Sequence, residues 1–568
     1  MRARFTFVLP FSLAVVLTLG VAAQKQAAPA KPANASAETA QLPPAAAKAM
    51  EAIDPEKIRA TVKELSSDAY EGRGTGQKGG DKAAQYIAGQ FASFGLKPAG
   101  DNGTFLQKVA MVGIATQPSS TVQLVPNNGQ PTDLKLGSDV VAMDESQQTS
   151  SDIDADIVFV GYGIEAPEYK WDDYKGMDVK GKVLLMLVNE PPSDDPNFFK
   201  GKALTYYGRW TYKYEEAARK GAVGVIIIHN TEMASYGWNV VETSWGGERS
   251  YLRGDDKPKL KLASWITGEV ALKIAAAMNT NVQDMIKQAQ SRDFKPVPVP
   301  FKAKVHMVST VRPFDSANVI GMVAGSDPKL KDQGVIYSAH YDHLGIHAGQ
   351  SGDNIYNGAV DNGTGCGILL EMARAFASSA VKPKRSIYFA SVTAEEQGLR
   401  GSEYLGQKPP IPAGKITLGL NYDGLAPIGI PEEVEITGAE RNTFYPVVEA
   451  TAKDFALKIM PDSNPGAGHY YRSDHFSFSR VGIPAFSINQ GEKYDGHDRA
   501  YGEEWQKNYT AHDYHQPSDE YKADWDFRGL AKMARFGFAL GWKAAEQPGL
   551  VQWQKGDEFE AARLKSQR

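Results

Sequence analysis

The chain has 568 residues, of which 42% are hydrophobic and 23% charged, and its formal net charge is −5 at pH 7. This length exceeds what one hydrophobic core organises, so we expect two or three domains in a protein of ordinary globular composition. Acidic and basic residues are both plentiful, so the charge balance argues against nucleic acid or an anionic membrane surface as a partner.

The N-terminus has the pattern of an export signal. Arg2 and Arg4 precede an apolar run over residues 5–21, and small residues follow as far as Ala23. This arrangement predicts a cleavable signal peptide over residues 1–23 rather than a stable membrane anchor. The single cysteine of the chain, Cys366, cannot form an internal disulfide. An exported protein without disulfides fits a bacterial envelope, which predicts a secreted or periplasmic location.

Residues 24–50 are rich in Ala, Pro, Gln and Ser, and we expect a flexible leader there because such a segment buries little apolar surface. Apolar residues then recur at helical spacing in two sets: Ile58, Val62 and Leu65, and Ala83, Ile87 and Phe91.

The sequence pattern changes over residues 151–292. Apolar runs at 157–160, 183–187 and 221–228 are typical of buried strands, and residues 214–219 have a helical pattern. None of these segments carries a cluster of metal-binding or nucleophilic residues. The pattern predicts a small β-rich module without chemistry of its own.

From about residue 300 to 546 the sequence alternates strand and helix, which is typical of an open α/β sheet flanked by helices. The predicted strands are residues 335–339, 386–392, 416–420 and 485–488, and the clearest helix covers residues 364–376.

Metal-binding residue types follow three of these strands. His340 comes after the first, Glu395 and Glu396 after the second, and Asp423 after the third. In open α/β sheets, ligands bind beyond the carboxyl ends of the strands, so we expect these side chains on one rim. Two further candidates are Asp361, in a Gly-rich loop, and the late His515.

Imidazole and carboxylate groups are the ligands of catalytic zinc, and one such ion needs about three of them. Five ligands suit two ions if one carboxylate bridges, as in two-metal hydrolases with ions about 3.5–4 Å apart. Consecutive glutamates point in different directions, so one can bind metal while the other transfers protons. Asp342 stands two residues after His340, where it is placed to accept that ring's free N–H. Each motif alone is more often structural, but together they predict a metal site.

Five motifs in this order resemble the co-catalytic zinc aminopeptidases, whose wider family includes glutamate carboxypeptidase II. They are His340-Tyr341-Asp342, residues 361–365 (Asp-Asn-Gly-Thr-Gly), residues 394–398 (Ala-Glu-Glu-Gln-Gly), Asn421-Tyr422-Asp423, and Tyr514-His515. The resemblance implies a zinc exopeptidase fold with a mixed sheet. It also implies an N-terminal part of the peptidase domain at 51–150, a protease-associated (PA) insert at 151–292, a catalytic domain at 293–550 and a tail at 551–568.

The resemblance also implies roles for single residues. Asp361 would bridge two zinc ions, His340 and Asp423 would complete one site, and Glu396 and His515 would complete the other. Glu395 would be the general base, with Asp342 supporting the catalytic set. Tyr514, as a catalytic residue, and Arg472 would contact the substrate or the tetrahedral intermediate, and His343 is expected to line the cleft or its rim.

These features predict a secreted aminopeptidase that hydrolyses N-terminal residues from peptides with a water molecule shared by two zinc ions. The same metals would serve a carboxypeptidase of the glutamate carboxypeptidase type, or an enzyme that cyclises N-terminal glutamine, and the motifs do not separate amino- from carboxypeptidase. A third interpretation is a non-catalytic protein that binds partners through the inserted module. It predicts no chelator-sensitive hydrolysis of any peptide.

Overall fold

The computed structural model describes residues 41–234, 236–347, 349 and 351–568. The predicted signal peptide, 1–23, and the leader as far as residue 40 lie outside these residues. Within them, no helix combines the length and the apolar character that a membrane crossing requires.

The strands of the described residues are β1 (Lys97–Pro98), β2 (Leu106–Thr116), β3 (Thr121–Pro126), β4 (Thr132–Leu134), β5 (Val140–Met143), β6 (Ser150–Phe159), β7 (Glu165–Ala166), β8 (Trp171–Asp172), β9 (Val183–Leu187), β10 (Gly224–Ile228), β11 (Arg249–Leu252), β12 (Leu262–Ile266), β13 (Val297–Val323), β14 (Gly334–His340), β15 (Gly345–Ile346), β16 (Ile355–Tyr356), β17 (Ser386–Val392), β18 (Ile416–Asn421), β19 (Glu433–Glu435), β20 (Lys458–Met460), β21 (Ala485–Ser487) and β22 (Asn489–Gln490).

The α-helices of the same residues are α1 (Pro44–Glu51), α2 (Pro55–Leu65), α3 (Lys78–Ser93), α4 (Trp210–Arg219), α5 (Thr231–Ala234), α6 (Trp238–Gly246), α7 (Gly268–Ala277), α8 (Val282–Ala289), α9 (Gly365–Ser378), α10 (Arg400–Gln407), α11 (Tyr445–Asp454), α12 (His475–Arg480), α13 (Ala500–Asn508), α14 (Arg528–Glu546) and α15 (Glu560–Ser566).

One mixed sheet of 15 strands organises the fold, with the order β21-β18-β14-β17-β13-β6-β9-β10-β12-β5 along its main path. The strand β13 is 27 residues long and joins two halves of this sheet. Its C-terminal part pairs with β17, whereas its N-terminal part pairs with β6. The predicted α/β class with a mixed sheet flanked by helices is therefore confirmed.

The first half, which we call the catalytic half, contains β14, β17, β18 and β21. The strand β14 runs parallel to both β17 and β18, and β18 runs parallel to β21. All residues of these four strands are buried, as expected for parallel strands covered on both faces. Their carboxyl ends therefore meet at one edge, and the strands predicted for this region are confirmed.

Helices α9 and α14 cover one face of the catalytic half with a continuous apolar core. Phe376 of α9 stacks on Phe538 of α14, with ring centroids 4.0 Å apart, and lies 5.9 Å from the ring of Trp542. Burial of such large rings dominates core energetics, and truncating one to alanine typically costs about 3–5 kcal/mol. This packing fixes α9 and thereby the loop that precedes it.

The second half of the sheet has its own apolar cores and contains the strands predicted for residues 151–292. It also includes strands that precede residue 151, because β3 pairs with the N-terminal part of β13 and β5 pairs with β12. Val122 and Leu124 of β3 lie in the same core as Ile157. The predicted domain boundaries, including the one at residue 151, stay predictions. The assignment of this region to a PA module stays a prediction.

The predicted flexible leader is wrong for its last residues. Pro44–Glu51 forms the helix α1, in which Ala46 and Ala49 are buried against the core of the catalytic half. Proline at the start of a helix loses no hydrogen bond, and alanine has the highest helix propensity. Small side chains allow this helix close contact, so a segment of low hydrophobicity is ordered by its neighbours.

Arg73 holds the loops around the strand edge together. It is fully buried, and its guanidinium donates to the main-chain oxygens of Tyr341 (2.7 Å), Leu65 (2.8 Å), Asn357 (2.6 Å) and Gly358 (2.7 Å). These acceptors lie in the segment after β14, at the end of α2 and in the loop before α9. Only a planar group with five donors satisfies them together.

We predict that Arg73→Lys lowers the free energy of unfolding by about 3 kcal/mol, because a lysine leaves buried carbonyl oxygens without donors. Urea titration followed by tryptophan fluorescence measures the change. The matched control is Arg528→Lys, since the Arg528 side chain is 68% exposed and pairs with Asp526. Equal stability of the two variants would contradict the role of Arg73.

Candidate metal centre

His340, the last residue of β14, is buried with its Nε2 atom facing two carboxylates. Nε2 lies 3.0 Å from Oδ1 of Asp423 and 3.3 Å from Oδ1 of Asp361. Asp423 follows the neighbouring strand β18, and its second oxygen accepts a hydrogen bond of 2.6 Å from the Ser473 hydroxyl. This contact fixes the orientation of the Asp423 carboxylate.

A second group meets on the other side of Asp361. Nε2 of His515 lies 3.3 Å from Oδ2 of Asp361 and 3.1 Å from Oε2 of Glu396. Asp361 therefore presents one oxygen to each histidine. The structure brings together all five side chains predicted as ligands, and places Asp361 between the two pairs.

The loop that carries Asp361 is anchored from both sides. The main-chain N–H groups of Val360 and Asp361 donate to the Asp519 carboxylate at 2.9 and 3.1 Å. The Asn362 side chain donates to the Tyr422 carbonyl oxygen at 3.0 Å, which ties the loop to the end of β18. Sequence reasoning missed Asp519, because a lone aspartate far along the chain carries no local signal.

The acidic groups and the histidines of this cluster interact strongly through their charges. Although burial opposes the shift, the nearby carboxylates raise the pKa of His340 well above its usual range and that of His515 to about 10. Burial also opposes the low values of the acids, but the histidines bring the pKa of Glu396 to about 2 and that of Asp361 well below its usual range. Ionised carboxylates and imidazole nitrogens are a donor set that fits catalytic zinc. The buried Nε2 of His515 faces this set without an aligned hydrogen bond, as a ligand nitrogen would.

Asp342 does not make the contact predicted for it. The Nδ1 atom of His340 is 3.1 Å from the main-chain oxygen of Asp342, whereas the Asp342 carboxylate is 3.9 Å away. That carboxylate accepts instead from the Glu395 main-chain N–H at 3.1 Å and from the Thr75 hydroxyl at 3.0 Å. The second contact of His340 is therefore made by backbone, and Asp342 positions the segment that carries Glu395.

Glu395 lies beside this cluster, with Oε2 at 4.0 Å from Nε2 of His340. Burial raises its pKa well above the usual range against the influence of His340, and the Asp423 and Glu396 carboxylates raise it further. The preceding residue, Ala394, has φ of 55°, a left-handed conformation that alanine rarely adopts. This turn sends Glu395 and Glu396 in different directions, and such strain is common at functional sites.

The cluster opens into a cavity of about 1030 Å³, lined by residues from both halves of the sheet. Tyr514 lines it with 43% of its surface exposed, and its ring stacks on His515 with centroids 4.0 Å apart. Arg472 also lines the cavity, as predicted for a substrate contact. So does Arg209, which sequence reasoning missed because it lies in the region without apparent chemistry.

His343 is more central than expected. It is buried, and its Nδ1 atom lies 2.6 Å from Oε1 of Glu396. The sequence placed it only in the lining of the cleft. The sequence did contain one sign of this central position. His343 stands three residues after His340, where the chain continues along the same edge of the sheet.

Two imidazoles and three carboxylates meet beside one edge of the sheet, where they could hold metal ions, and Glu395 lies next to them at the edge of a large cavity. Residues 318–538 match the sequence model of Peptidase family M28, so this part of the chain is a family M28 peptidase domain.

The fold is similar to that of a solved aminopeptidase from Aneurinibacillus sp. strain AM-1. That match has a TM-score of 0.51 at 20% identity, and covers 90% of this chain and 98% of the other. Among curated proteins, leupeptin-inactivating enzyme 1 of Streptomyces exfoliatus is 30% identical over 152 residues, or 26% of this chain. Carboxypeptidase Q of Xenopus laevis is 28% identical over 322 residues, or 55% of this chain. The chain spans 33% and 56% of the lengths of these two relatives.

We predict that Asp361→Asn abolishes tight metal binding, because one amide oxygen cannot neutralise and bridge two cations as a carboxylate does. Zinc content after dialysis should fall to less than half of the wild-type value. The exposed Asp332→Asn is the control. Full zinc content in the Asp361 variant would refute the role of Asp361 as a central metal ligand.

Proposed function

We propose that the protein is an exported zinc exopeptidase that removes N-terminal residues from peptides. The observation that carries this proposal is the position of the Glu395 carboxylate, 4.0 Å from a ligand nitrogen and lining the large cavity. Carboxylate bases next to paired metals are a means of hydrolysing amides. The aminopeptidase assignment draws on the Aneurinibacillus structure, which shares the fold over 90% of this chain.

His340 and Asp423 would hold one zinc ion, Glu396 and His515 the other, and Asp361 would bind both. Zinc at these positions supplies Lewis acidity, which polarises a peptide carbonyl and makes water a stronger acid.

Glu395 would accept the proton of the attacking water and pass it to the leaving amine. A base for this role must be held rigidly and hold a proton more strongly than an exposed carboxylate does. The main-chain N–H of Glu395 is fixed by Asp342, and burial raises the pKa of the side chain. The Tyr514 hydroxyl, on the same cavity, would donate to the oxyanion that forms at the carbonyl.

Glu395→Ala should keep near-full zinc content and lose about 10²–10⁴-fold in kcat. The substitution removes the group that transfers protons but leaves every metal ligand in place. Metal analysis and peptide hydrolysis on the same sample measure both quantities. Loss of zinc with only a small change in rate would show that Glu395 is a ligand rather than the base.

A carboxypeptidase is the second candidate, and two arginines on the cavity favour it. Arg209 and Arg472 have no ion-pair partner within 4.0 Å among the described residues, and their buried Nε atoms have no hydrogen-bond partner. Burial and the charge of Arg472 lower the pKa of Arg209 to about 10. Two guanidinium groups without a close ion-pair partner attract a carboxylate, such as a peptide C-terminus.

Peptides blocked at one end distinguish the two candidates. We expect hydrolysis of C-amidated peptides with a free N-terminus, and none of N-acetylated peptides. If the N-acetylated peptides with a free carboxylate are cleaved instead, the carboxypeptidase assignment replaces the first. In that case Arg209→Met should raise KM by about 10-fold or more, as expected for loss of a charge-assisted contact.

A further inference from the structure

We propose that His343 is a positioning residue of the metal centre. By holding one oxygen of Glu396, it leaves the other oxygen free to bind the metal shared with His515 and Asp361. This inference rests on the proposed metal centre and deepens it. It assigns a function to a buried histidine outside the five-ligand set.

The two oxygens of Glu396 have different neighbours. Oε1 lies 2.6 Å from Nδ1 of His343, whereas Oε2 lies 3.1 Å from Nε2 of His515. A carboxylate has two equivalent oxygens, and without a partner on one of them it rotates between several binding modes. A short contact to a ring N–H selects one mode, with Oε2 toward the metal position.

The contact also selects the role of His343. A carboxylate only accepts hydrogen bonds, so the Nδ1 atom of His343 must carry the proton that it shares with Oε1. A protonated nitrogen has no lone pair for a metal ion. Nδ1 is 3.9 Å from Oδ2 of Asp361, farther than the donor atoms of the five ligands are from one another in the pairs described above. The Nδ1 atom of His343 therefore orients a ligand and does not itself bind the metal.

The ring of His343 has no room to move. The residue is 1% exposed, and its main-chain N–H donates to the Arg73 carbonyl oxygen at 3.3 Å. Gly358 packs against the ring, and a Cβ atom added there would lie 2.6 Å from the ring atoms Cγ and Cδ2. Gly358 also has φ of 56°, so glycine serves both the turn and the close approach. A locked ring is what a positioning residue requires.

Loss of the contact should weaken one metal site and spare the other. Partners that orient metal ligands typically contribute about 10–100-fold to metal affinity. Glu396 belongs to the pair with His515, whereas the pair of His340 and Asp423 lies on the far side of Asp361. The effect should thus be confined to one of two bound ions, which general damage to the fold would not produce.

The test compares His343→Asn with His343→Gln in the full-length protein. Both introduce a neutral amide, but only asparagine places its NH₂ group at the position of the imidazole Nδ1. Zinc affinities are measured by competition with a chromogenic chelator, and His347→Gln, a half-buried histidine that follows β15, is the control. We expect two zinc ions in the wild type and a loss of about 10–100-fold at one site in His343→Gln. His343→Asn should recover most of that loss.

Unchanged affinity at both sites in His343→Gln would overturn the role of His343 and leave the proposed function intact. Equal weakening of both sites, or the same loss in Asn and Gln variants, would also overturn it, because the effect would then be structural. A wild-type chain that binds no zinc would overturn the metal centre and this inference together.

Discussion

The gathering of acidic groups at one edge of the sheet is the constraint on which the site depends. Asp361, Glu395, Glu396 and Asp423 lie at the ends of strands or in the loops beside them, and Asp342 and Asp474 are fully buried close by. Burial, together with Asp423 and Asp342, raises the pKa of Asp474 to about 7. Such an arrangement is costly unless positive charge balances it. The site would therefore gain much of its stability only together with bound cations.

The surrounding fold supplies rigidity in place of charge balance. Parallel strands fix the rim, the packing of α9 against α14 fixes the loop before α9, and Arg73 joins three segments through their carbonyl oxygens. These three sets of contacts involve the backbone or apolar side chains. None of them would therefore compete with a metal ion for the carboxylates. Asp519, which binds main-chain N–H groups on the Asp361 loop, follows the same principle.

Sequence reasoning succeeded where local pattern and chemistry agree. The strand runs before His340, Glu395 and Asp423 are apolar and short, and the edge rule for parallel strands then brings their ends together. It failed where tertiary contact decides. The strands β3–β5 resemble any others until their partners are known, so the sequence did not indicate that they pair with the second half of the sheet. The helix α1 is ordered by its neighbours, and the burial of His343 depends on Gly358, which no periodicity reveals.

The long strand β13 has a mechanical consequence. Because its two parts belong to the two halves of one hydrogen-bonded sheet, the halves cannot open about a flexible linker there without breaking strand pairs. Arg209, which comes from the second half, is thus held at a set depth from Glu395 in the catalytic half. The distance across the cavity between Arg209 and Glu395 is therefore constant. The protein would then distinguish substrates by the distance between their charged end and the scissile bond. Closure of one half of the sheet upon the other would not be needed.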